Sequence, residues 1–121
     1  MSKPRYRWWG YVRNVIRAYP KLQAAESLTI DDQRELEAVD RAIDLAKEDR
    51  HGEQMLDLIN RVYWNKSARR VEDAARYMYI SEKTAKQRHG EFIRLVAKCL
   101  GFSVELHRGE RGRPKTQKSP V

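Results

Sequence analysis

The 121-residue sequence predicts an all-α fold, a small bundle of about five helices. Three observations carry this expectation. Apolar residues recur at alternating spacings of three and four over most of the chain, the period of one face of a helix. No stretch shows sustained period-2 alternation between turn signals, which argues against sheets. No internal repeat with a period of about 20 to 50 residues is visible, which argues against a solenoid.

The elements follow in order. Residues 5–19 read as a first helix, with Trp8 or Trp9, Val12, Ile16 and Tyr19 on one face; Pro20, which lacks an N–H, should stop it. Thr29 or Asp31 can cap a second, acidic helix whose Leu36, Val39, Ile43 and Ala46 form the apolar stripe. That helix should end near His51-Gly52. A third segment, 53–64, aligns Met55, Leu58, Ile59 and Val62, adds Tyr63 and Trp64, and closes at Asn65. Trp8, Trp9 and Trp64, at helical spacing among apolar neighbours, read as core side chains.

From Arg70 to Ala85 the chain has the rhythm of a short helix, a tight turn and a second helix. Ala74 and Ala75 are small where the second helix must pass close to the first, with Ala75 the expected contact. Met78 and Ile80 flank the turn with apolar side chains that can plug the angle between the helices. Ser81 can cap the second helix by accepting from the backbone of Lys83 or Thr84, and Glu82 adds a negative charge at the positive end of the dipole. The exposed first turns would then present Lys83, Lys86 and Gln87, with Thr84 and Arg88 beside them, side chains suited to phosphates and major-groove base edges. Phe92, Ile93, Val96, Cys99 and Leu100 return to apolar spacing and anchor the far end of the same helix. Tyr79 lies in the turn, where a positive φ would strain it, and Gly90 would mark a bend or a close backbone approach.

The pattern set by Ala75, Ile80, Ser81 and Thr84 resembles the helix-turn-helix of bacterial sigma-factor region 4 and of small phage transcription regulators of the ArpU and RinA kind. The match covers about a quarter of the chain. It implies a DNA-reading second helix and a phage or prophage regulator. The opening Arg5-Tyr6-Arg7-Trp8-Trp9-Gly10-Tyr11 is also similar to the starts of small phage-encoded proteins of Gram-positive bacteria.

Charge is segregated along the chain. Residues 1–21, 22–65, 66–106 and 107–121 carry net charges of +6, −6, +4 and +4, within a total of +8. Basic segments flanking an acidic centre point to a polyanionic partner, because phosphates neutralised by Lys and Arg release condensed counterions. The sequence thus divides into a helical domain, 1–106, and a basic tail, 107–121, too poor in apolar side chains to fold and expected to be disordered when unbound. Within the domain, residues 1–65 form the N-terminal helices and 66–106 the helix-turn-helix portion. In the tail, Arg111-Gly112-Arg113-Pro114-Lys115 is similar to the core of an AT-hook, which would place Arg111, Arg113 and Lys115 in the minor groove of A·T-rich DNA. A nonspecific phosphate-binding tail explains the same residues equally well.

Catalysis has no visible machinery. Phosphate-loop, nucleophile-elbow and zinc-protease motifs are missing, and His51, His89, His107 and Cys99 do not have metal-ligand spacing, so no enzyme activity, metal or cofactor is expected. The carboxylates Asp31, Asp32, Asp40, Asp44, Glu48 and Asp49 read as a solvated helix face, open to a basic partner or a second copy of the chain. With one cysteine, no signal-peptide pattern and no membrane span, a cytoplasmic location is expected. The functional expectation is a sequence-specific regulator of transcription that binds double-stranded DNA through Arg69, Arg70, Ser81, Lys83, Thr84, Lys86, Gln87 and Arg88. Two alternatives share the composition: a small terminase subunit acting in DNA packaging as a ring of copies, and a helical adaptor that binds RNA polymerase without reading DNA.

Overall fold

A computed structural model describes residues 6–102, and among them every regular element is helical. Helix α1 spans Trp9–Ala24, α2 Ile30–Lys47 and α3 Gly52–Ile59; α3 runs on into a π-helical turn, Asn60–Trp64; α4 spans Val71–Met78 and α5 Glu82–Leu100. Helix α5 packs against all four other helices and forms the axis of the molecule.

Helix α1 continues beyond the expected stop, with Pro20 inside it. Proline leaves the carbonyl four residues earlier without its helical donor. That carbonyl belongs to Ile16, and it accepts instead from the Trp64 indole N–H, at 2.8 Å. A side chain 44 residues away thus replaces the lost bond and allows one more turn. Helix α2 starts as expected on Thr29, whose hydroxyl accepts from the Asp32 N–H at 3.0 Å in a full capping box. It ends at Lys47, four residues short of His51. The corner to α3 is tight: a Cβ at Gly52 would lie 1.8 Å from the Ala46 carbonyl oxygen, so only glycine fits.

The main core joins α1, α2, α3 and α5 through Val12, Ile16, Val39, Met55, Ile59, Phe92, Ile93 and Val96, all almost fully buried. Trp8, Trp9 and Trp64 are partly buried and pack against it. Cys99 is free and half-buried, and burial raises its thiol pKa above the ordinary value. A second, smaller cluster of Leu58, Ala68, Ala74, Ala75 and Ala85 seats α4. Four of its five members are alanines, so α4 lies close to α5 while burying little apolar surface.

Both α4 and α5 end in the same way. The Ile80 N–H reaches back to the Ala75 carbonyl at 3.0 Å and the Tyr79 N–H to that of Arg76 at 3.3 Å, the double bond of a Schellman motif. Phe102 and Gly101 repeat this on Ala97 and Lys98. The left-handed position is glycine in the second motif (φ +97°) and tyrosine in the first (φ +58°). Helix α5 is continuous through Gly90, and the close neighbour of a Cβ there would be the far end of the Arg94 side chain, at 3.2 Å.

Candidate nucleic-acid interface

Helix α4, the residues Tyr79-Ile80-Ser81 and helix α5 form a helix, a tight turn and a helix. Ala75 and Ala85 are both fully buried where the two helices meet, and Met78 and Ile80 pack into the same cluster from either side of the turn. Small side chains at the meeting point let the backbones approach, and the two apolar flanks hold the turn in place. Ser81 caps α5: its Oγ accepts from the Thr84 N–H at 3.0 Å, and its hydroxyl also lies 3.0 Å from that of Thr84. The orphan amide is thereby satisfied and the first turn of α5 is fixed.

On that turn Lys83, Lys86 and Gln87 are exposed. Neither Lys83 nor Gln87 makes an ion pair or side-chain hydrogen bond among the described residues. Lys86 lies 3.5 Å from Glu72 on α4. Glu72 is held below the usual carboxylate range by a hydrogen bond to its own backbone N–H in the first turn of α4, and then by Lys86. Thr84 is half-buried, its hydroxyl engaged by Ser81. Arg69 and Arg70 are exposed just ahead of α4, and Arg70 sits 3.7 Å from Asp73.

Arg88 departs from the expected exposed set. It is 8% exposed, with its Nε donating to Gln54 Oε1 at 2.8 Å and Nη1 to both Glu91 oxygens at 3.2 and 3.3 Å. It belongs to the apolar stripe of α5, between Ala85 and Phe92, and ties α5 to α3. Arg111, Arg113 and Lys115, together with His107 and the whole tail, lie outside the described residues.

Two exposed tyrosines escaped the sequence reading as surface features. Tyr77 is 56% and Tyr79 93% exposed, on either side of Met78. The signal for the second was its left-handed turn position, which leaves a side chain pointing away from both helices.

Behind the interface, α5 is tied to α1 and the π-helical turn by a polar cluster. Arg13 Nε donates to the Tyr63 hydroxyl at 2.9 Å, and that hydroxyl lies 2.7 Å from His89 Nε2. Burial, and then the Arg13 guanidinium, push the His89 pKa down to about 4. The neutral ring so favoured can accept the Tyr63 proton. Among the described residues, no three His, Cys, Asp or Glu side chains gather to hold a metal ion, and no helix is long and apolar enough to cross a membrane.

In comparison with known proteins, no family model, curated protein or solved structure matches the chain.

Proposed function

We propose that this chain is a cytoplasmic, sequence-specific DNA-binding regulator of transcription, of the sigma-factor region 4-like helix-turn-helix kind found in small phage regulators, and that it acts by binding rather than by catalysis. The observation that carries the reading is the first turn of α5: a capped, rigidly seated helix start with Lys83, Lys86 and Gln87 exposed side by side. Lysine and glutamine there are suited to guanine and adenine edges in the major groove, while Arg69 and Arg70 are suited to the flanking phosphates. Arg111, Arg113 and Lys115 would add charge to the same interface. RNA polymerase is the further partner this reading implies.

The test begins with selection of bound sites from a random DNA pool. Replacing Lys86 and Gln87 with Ala should then cost about 1–3 kcal/mol on the selected site and far less on unrelated DNA, because base contacts discriminate and phosphate contacts do not. A double variant that bound every DNA as the parent chain does would sink the reading.

A further inference from the structure

A second feature lies away from α5, at Tyr63 and the C-terminal half of α1. The C-terminal half of α1, the end of the π-helical turn and Lys66 border an open cleft of about 450 Å³, which Arg17, Lys21 and Lys66 line together with Pro20, Tyr63 and Trp64. Among the described residues, three cations line it and no carboxylate does. Like charges gathered at one concavity repel one another, and an anion seated among them removes that cost.

The walls are held in place by unusual means. Arg17 is pinned by its hydrogen bond to Asn14 Oδ1 at 2.7 Å, with its guanidinium carbon 5.5 Å from the Tyr63 ring centroid. The Trp64 indole is fixed to the Ile16 carbonyl that Pro20 leaves free. Lys66 holds a left-handed backbone conformation, φ +57°, that a lysine adopts only under strain. A π-helical turn, an in-helix proline and a strained lysine therefore meet at one cleft lined by both aromatic rings and cationic side chains. Its volume falls in the range of small-ligand sites, about 300–1,000 Å³.

We infer that this cleft binds a nucleotide, either free or as one unit of a single strand, with Arg17, Lys21 and Lys66 on the phosphate and the Trp64–Pro20 wall against the ring. Cations serve the phosphate as charge-assisted donors, and an aromatic wall accepts any base. The assignment does not depend on α5 reading DNA.

The full chain is titrated at low salt with ATP and, separately, with a single-stranded oligothymidylate of about twelve nucleotides, a length that spans typical single-strand sites. Calorimetry measures the affinity, and tryptophan fluorescence of a chain carrying Trp8→Phe and Trp9→Phe follows Trp64. At least one probe should bind, and Lys21→Glu with Lys66→Glu should weaken it by about tenfold or more, the loss of one or two charge-assisted bonds. Lys66→Gly should weaken it several-fold while leaving the melting temperature unchanged or higher, because glycine relieves the left-handed strain; this separates loss of the site from loss of the fold. ATP binding that falls in the charge-reversed variant assigns a free nucleotide, and oligonucleotide binding alone that falls there but not in Lys83→Ala with Lys86→Ala assigns a strand. ATP affinity should be the same in Lys83→Ala with Lys86→Ala. Failure of both probes to bind, or equal affinity in the charge-reversed variant, overturns the inference.

Discussion

At the scale of single residues, two side chains hold states they would not choose in a free peptide. His89 is kept neutral by burial and by Arg13, with a folded pKa of about 4 against 6.5 for the free side chain. The unfolded chain therefore binds more protons between those values, so stability is fully present above pH 6.5 and falls as pH drops towards 4. The loss should approach about 3 kcal/mol, and thermal midpoints across that window should be visibly flatter in His89→Gln. Tyr79 is the other case. Its left-handed backbone conformation supports no packing, since the ring is 93% exposed. Tyr79→Gly should raise stability by about 0.5–1 kcal/mol in denaturant titration, because the Schellman motif needs the backbone and not the ring. A coincident fall in DNA affinity would mark the ring as a contact.

At the scale of elements, corners and ends decide where helices stop. Gly52→Ala would drive a Cβ into the Ala46 carbonyl and should cost at least about 2 kcal/mol, read as a lowered denaturant midpoint. Much of this level was legible in the sequence. Thr29 and Ser81 act as caps, Ala75 sits at the close crossing, and Met78 and Ile80 flank the turn as their chemistry requires. These signals are local: a hydroxyl three residues before its amide, or a small side chain at a fixed offset. What escaped was non-local. No local rule lets a helix pass Pro20, because the bond that allows it comes from Trp64. The π-helical turn leaves no periodic signature in five residues. Arg88 was a different kind of miss: its spacing of three from Ala85 and four from Phe92 places it on the buried stripe, and its charge drew the reading to the surface. Its partners Gln54 and Glu91 complete the site of a paired, buried arginine.

At the scale of the whole molecule, exposed carboxylates gather on α2 and exposed cations at the start of α5 and ahead of α4, so charge is segregated by element. Such a charge distribution orients a molecule as it approaches a polyanion. If Arg69, Arg70, Lys83 and Lys86 each neutralise one phosphate, the logarithm of the affinity for duplex DNA should fall with the logarithm of salt concentration at a slope of about −3.6 without residues 107–121. The full chain should give a steeper slope, the difference counting the phosphates its tail engages. Equal slopes for the two chains would remove the tail from the interface.

The bond between Trp64 and the Ile16 carbonyl reaches beyond the stability of one helix. Pro20 leaves the Ile16 carbonyl without a helical donor, and the indole supplies the one donor that the oxygen then has. The dependence between the two positions runs one way. Replacement of Trp64 alone strands a carbonyl, whereas replacement of Pro20 alone brings a second donor to an oxygen with two lone pairs. In any lineage descended from this chain, Trp64 should be lost only after Pro20, never before it.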